Sequence, residues 1–151
     1  MKLRVVIIPL VCVAFLGAPF VFGDSAPPFL VEEQGSPIYP GATAEVPSAH
    51  VGKSSGPIEF TIVNRYSAEL QLAEDSAVVV DGVDRRAYHV LEQPESSVAP
   101  GGEASFALSF NPTSLGEKDA TVMIRFGDNA DSSYVFYVVA NGLSNRANED
   151  Q

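Results

Sequence analysis

The residues able to do chemistry in this sequence are few and scattered. His50 and His89 are its only histidines, and catalysis by a serine, threonine or cysteine nucleophile needs such a base beside the nucleophile and an orienting third group. His50 stands at the edge of a proline-rich stretch and His89 follows Tyr88 in a short apolar run, so each reads as a surface polar residue. Zinc would need clustered Cys and His. The single cysteine, Cys12, lies inside an N-terminal aliphatic run. Calcium needs only oxygen ligands. Asp128, Asn129 and Asp131 crowd one loop and Asp81 and Asp84 flank another turn. Neither set has the spacing of a calcium-binding loop, and Asp and Asn are in any case the residues a hairpin turn favours. Gly101-Gly102 lacks the lysine and helix of a phosphate-binding loop and reads as a turn. Arg85 and Arg86, in an extended segment, would point to opposite faces near a sheet edge rather than form one basic patch. No catalytic residue, cofactor or metal site is expected.

The partner classes are narrowed by charge. Nine Lys and Arg stand against 19 Asp and Glu, a net charge of -10 in 151 residues. Such a chain is repelled by nucleic acid and by anionic membrane surfaces. An apolar fraction of 46% is enough to build one core.

The N-terminus is built for export. Lys2 and Arg4 precede an uncharged stretch from Val5 to Gly23, almost wholly aliphatic from Val5 to Leu16, with Val21 and Gly23 at its end. Basic start, apolar middle and small end describe a signal peptide over 1–23. The alternative is a retained signal anchor, because the uncharged stretch is just long enough to span a bilayer. The chain would touch a membrane only in that second case. A lipoprotein does not fit, since Cys12 is inside the apolar run. Cleavage after Gly23 leaves 7 basic residues against 19 acidic ones, a net charge of -12, and no thiol. The exported part then depends on its core without disulfides. The expected location is secreted, periplasmic or at the cell surface.

The elements that would position these residues are strands. Residues 24–47 hold Pro27, Pro28, Pro37, Pro40 and Pro47 and read as a Pro/Gly-rich spacer with one extended piece at Phe29 to Glu33. Residues 143–151 read as a flexible tail. Between them, 48–142 shows a period of two. Ile58, Phe60 and Ile62 alternate with polar residues, as do Leu70 and Leu72. So do Phe106, Leu108 and Phe110, with Ser105, Ala107 and Ser109 facing solvent, and Ala120, Val122, Ile124 and Phe126. Val78 to Val80 and Ala87 to Leu91 add shorter candidates. Pro100-Gly101-Gly102, Asn111-Pro112-Thr113-Ser114 and residues 127–131 supply turns. Short strands at close spacing predict an all-β antiparallel sandwich or barrel.

The last strand breaks the alternation. Tyr134, Phe136, Val138 and Ala140 fill one face, while Val135, Tyr137 and Val139 make the other face apolar too. Either the strand is covered on both sides, by the core and by the spacer, or the second face meets a protein partner. Tyr137, Val135 and Val139 are the candidate protein contact.

The segments Phe60-Thr61-Ile62-Val63-Asn64, Val98-Ala99-Pro100-Gly101-Gly102 and Ala104 to Thr113, then Gly116, the Ala120 to Ile124 strand and the closing Asn141-Gly142, form an ordered pattern. It resembles the immunoglobulin-like domains of the ASPM, SPD-2 and Hydin group, called choice-of-anchor D in exported bacterial proteins. Tyr66 stands where that pattern usually has glycine. The resemblance implies a seven-stranded immunoglobulin-like β-sandwich with no catalytic residues, used as a scaffold or protein-interaction module. The competing readings are a calcium- or carbohydrate-binding domain, disfavoured for sugars by the lack of tryptophan, and a periplasmic chaperone or pilus-like subunit that binds by strand addition.

Overall fold

The computed structural model describes residues 29–127 and 132–145. The expected signal peptide over 1–23, the first residues of the expected spacer, the acidic loop 128–131 and the tail beyond residue 145 lie outside the described residues. Twelve strands are described: β1 (Phe29–Glu33), β2 (Ser36–Ile38), β3 (Thr43–Glu45), β4 (Ala49–His50), β5 (Ile58–Asn64), β6 (Leu70–Gln71), β7 (Val78–Asp81), β8 (Tyr88–Glu92), β9 (Ser97–Val98), β10 (Glu103–Phe110), β11 (Gly116–Phe126) and β12 (Ser132–Leu143). One sheet has the order β2-β1-β5-β10-β8, and the other β3-β12-β11-β7 with β4 also on β12. β6 and β9 form a small separate pair. Neither sheet closes on itself.

The period-two runs become the core. Phe60 and Phe106 face each other across β5 and β10 with stacked rings 5.0 Å apart, and Phe136 of the second sheet meets Phe60 at 5.7 Å. The β11–β12 hairpin sends Val122, Ile124, Tyr134, Phe136 and Val138 inward, all almost fully buried. Such aromatic contacts add to plain area burial.

Four expectations need correcting. The first is the spacer. From Phe29 to Val46 it is part of the sandwich: β1 pairs with β5, β2 with β1, and β3 with β12. Its prolines punctuate short strands instead of forbidding them. Pro37 sits on β2, an edge strand with no further neighbour, where a missing N–H costs no ladder bond. Pro40 and Gly41 (φ 84°) form a turn closed by the Ala42 N–H donating to the Tyr39 carbonyl (2.9 Å), the arrangement Pro-Gly suits. The ordered sandwich thus begins by Phe29, not near residue 48, and β12 runs on to Leu143.

The second is the wholly antiparallel sheet, because β3 and β4 run parallel to β12. The chain leaves the first sheet after β2 and crosses to the β12 edge of the second, on the same side of the sandwich, and that crossover fixes their direction. The third concerns β10, whose half from Phe106 is buried on both faces. Ala107 and Ser109 are as enclosed as Leu108, and the loop before β5 folds back on this end of β10, where the Phe110 N–H donates to Ser55 Oγ (3.0 Å) and the Ser55 N–H to the Phe110 carbonyl (2.9 Å). The fourth is the arginine pair. Arg85 to Ala87 form a single 3₁₀ turn, not a strand.

Candidate interaction surface

The outward face of the second sheet is set by the register of β11 and β12. Inward and outward side chains alternate, so burying Tyr134, Phe136 and Val138 forces Val135, Tyr137 and Val139 out. Tyr137 is 41% exposed and the two valines are half-buried. Across the ladder Met123 lies between Val135 and Val79, which makes a half-buried apolar row over three strands. Tyr137 is flanked by Thr121 and Thr43, and Val139 by Asp119 and Glu45. With Asp81 opposite Thr121, the apolar centre has an acidic rim.

The described residues of the former spacer, 29–47, do not lie over this face. They pair along the edge of β12, in the plane of its sheet: Gly41 N–H donates to the Val135 carbonyl (2.7 Å), Tyr137 N–H to the Ala42 carbonyl (2.8 Å) and Val46 N–H to the Val139 carbonyl (3.0 Å). Phe29 to Glu33 belong to the opposite sheet, and Phe29 stacks on Tyr134, on the inner side of β12. The expected cover of Tyr137 by these residues is therefore corrected. The three candidate contact residues come together on one face, with Tyr137 as its most exposed member.

The other singled-out residues are kept apart. His50 is on β4, where its Nδ1 meets the Ser144 carbonyl at 2.6 Å. His89 is on β8 in the other sheet. Asp81 accepts the Gly82 N–H (2.8 Å) and lies 3.4 Å from the Arg85 guanidinium. Asp84 accepts the Asp119 N–H (3.2 Å). Both aspartates tie the β7–β8 connection in place. Among the described residues no group of three His, Cys, Asp or Glu could hold a metal. Gly52-Lys53-Ser54-Ser55-Gly56 spells the glycine-x-serine-x-glycine of an esterase elbow. That motif acts on a strand-to-helix turn, whereas here it joins strands β4 and β5, and the Ser54 hydroxyl accepts the Gly56 N–H (3.0 Å).

Three polar residues organise the fold without announcing themselves in the sequence. Asn64 is buried, and its amide Nδ2 reaches the carbonyls of Ala68 (2.8 Å), Val98 (3.1 Å) and Ala99 (3.2 Å) while its Oδ1 accepts the Tyr66 N–H. It ties the end of β5 to the turn before β10. Tyr134, from the second sheet, donates to the Ile38 carbonyl of the first (2.6 Å). Tyr88, from the first, donates to the Lys118 carbonyl of the second (2.8 Å). Burial pushes the Tyr134 hydroxyl up to about 12. It pushes Tyr88 up further, helped by the carboxylates of Asp84, Asp119 and Glu117.

No family model matches the chain, and no curated protein matches it. Solved structures do resemble it. A protein of unknown function from Porphyromonas gingivalis W83 superposes with a TM-score of 0.52 at 15% identity, over 78% of this chain and 48% of that one. The ASH/PapD-like domain 7 of human CEP192 gives 0.50 at 14% identity, over 90% of this chain and 99% of that one. The fold is immunoglobulin-like, of the ASH/PapD-like kind. The secreted serine protease VesC of Vibrio cholerae also gives 0.50 at 17% identity, but over only 21% of its length. The chain thus spans about half of the Porphyromonas protein and a fifth of VesC, and at these identities the likeness concerns the fold and not the activity.

Proposed function

We propose that this protein is an exported, non-catalytic immunoglobulin-like module of the choice-of-anchor D kind, which acts by holding another protein in the cell envelope or outside the cell. The observation that carries this reading is the outward face of β12. Tyr137 is 41% exposed between half-buried Val135 and Val139, and a tyrosine buries a large ring in an interface while its hydroxyl stays wet. An apolar centre with a polar rim is how protein interfaces are built. The full coverage of an ASH/PapD-like domain supports the module reading. The acidic charge weighs against nucleic acid, and the basic-then-apolar N-terminus supports export.

The test is a photo-crosslinking residue placed at position 137 of the full chain in the producing cells, with the same residue at position 59, an exposed site on β5 of the opposite sheet, as control. A discrete adduct from 137 alone is expected, and the mature protein should have the intact mass of a chain beginning at Asp24. Equal crosslinking from both positions, or none from either, would remove the Tyr137 face from consideration.

A further inference from the structure

The lateral side of the sandwich formed by β7 and β8 carries a second feature, distinct from the Tyr137 face. β7 is the edge of one sheet and β8 the edge of the other, and the two are not paired with each other. The direction of their backbone groups follows from neighbouring bonds. Arg125 N–H donates to the Ala77 carbonyl (2.8 Å), so Ala77, Val79 and Asp81 face β11, and Val78 and Val80 turn their N–H and C=O to the open side.

At Val78 these groups are already met by an amide. The Gln93 side chain accepts the Val78 N–H (2.9 Å) and donates to the Val78 carbonyl (2.9 Å), as the backbone of an adjacent strand would. Two residues on, Val80 presents the same pair of groups and has no such partner among the described residues. Next to it lies an open hollow of about 600 Å3 lined by Val80, Arg85, Arg86, Tyr88, His89 and Val90.

The lining is cationic in an acidic protein. The lysines and arginines of the described residues are Lys53, Arg65, Arg85, Arg86, Lys118 and Arg125, and two of the six line this hollow. Arg85 is shared with Asp81. Arg86 is exposed and makes no ion pair among the described residues.

We propose that this side takes a short, extended, acidic polypeptide segment, which continues along β7 at Val80 the pairing that the Gln93 amide begins at Val78 and sets a carboxylate against Arg86. Main-chain bonds would supply affinity and Arg86 the preference for acid.

The probe is acetyl-(Glu-Val)3-amide, titrated into the 15N-labelled protein and followed by amide shifts, with acetyl-(Lys-Val)3-amide as control. The expected result is saturable shifts at Val80, Arg86 and Val90 with the glutamate probe, weakening with added salt, and at least about tenfold weaker binding of the lysine probe, the size of one charge-assisted hydrogen bond. This preference runs against the protein's net charge of -10, so it can arise only locally. Arg86→Glu should reverse it, and Tyr137→Ala should leave it unchanged. Val80→Pro removes the free N–H on the side away from β11 and should abolish binding. If Val80→Pro fails to fold, Arg86→Glu still decides the matter. Equal binding of the two probes, shifts centred on Tyr137, or no shift with either probe at millimolar concentration overturns the proposal.

Discussion

The two lateral sides of the sandwich are built on opposite plans. On one side the chain steps from β2 in the first sheet to β3 and β4 in the second, hydrogen-bonds along β12 as it goes, and is fastened by the Tyr134 hydroxyl on the Ile38 carbonyl. On the other, β7 and β8 leave two edges side by side, held by the Gln93 amide, the Tyr88 hydroxyl and the tie from Asp84 to Asp119. Both sides exclude water from the aromatic core. Only the first also covers its long strands, β5 with β1 and β12 with β3 and β4, so that its outermost strands are the short β2 and β3. Closure of an edge and burial of a core are separate problems, and this chain solves both with its proline-punctuated N-terminal strands and just one of them at β7 and β8.

The largest effect should come from breaking the closed side. Phe29 is 1% exposed, stacks on Tyr134 at 4.8 Å and meets Phe126 edge-on at 5.2 Å. Phe29→Ala should cost about 3–5 kcal/mol in chemical denaturation, whereas Leu91→Ala, at a 54% exposed position on the open side, should cost almost nothing. Equal losses would mean that the first strand is not part of the core.

The tyrosine stitches sharpen the contrast. Tyr134→Phe and Tyr88→Phe should each cost about 1 kcal/mol, the net worth of a buried hydrogen bond. They also set the alkaline limit. A tyrosine whose hydroxyl is held near 12 when folded, and near 10 when unfolded, binds its proton more tightly in the folded state. Its contribution is therefore full below pH 10 and lost as pH rises toward 12. Stability measured from pH 9 to 12 should fall for the native chain and fall less steeply for the Tyr134→Phe and Tyr88→Phe double variant. Parallel curves would show that the hydroxyls are not buried in solution.

The smallest effect belongs to the open side. Gln93→Ala should cost less than about 1 kcal/mol, yet speed amide hydrogen exchange at Val78 selectively. Unchanged exchange there would show that the side-chain amide does not guard that edge.

Much of the core was legible because period-two alternation is a direct consequence of one buried face. Phe60, Phe106, Val122 and Phe136 follow it, and so does the outward turn of Tyr137. What escaped the pattern had other causes. In the stretch 29–47 the strands are three to five residues long, too short for a period to show, and proline there marks an edge and a turn rather than a break. Ser109 looks like a solvent position, yet lies 3% exposed; the loop that folds back on this end of β10, with Ser55 bonded to Phe110, comes from far earlier in the chain and leaves no mark in the local sequence. Asn64 and the two stitching tyrosines act on partners far away along the chain, or through backbone carbonyls that have no sequence identity at all. For the surface face, the residue types were readable but the cover was not, since in-plane pairing with β12 depends on a crossover between sheets.

That crossover also orders events in time. Thr43 pairs with Tyr137, 94 positions later, in the final strand. A chain that emerges N-terminus first, from a ribosome or through a translocation pore, must present β3 and β4 long before β12 exists, whereas the β11–β12 hairpin can close as soon as it is made. Contacts of such sequence separation are the slow ones. Sealing of the closed side is then the last act of folding, and until it occurs the edge of β12 stands open to any other extended chain nearby.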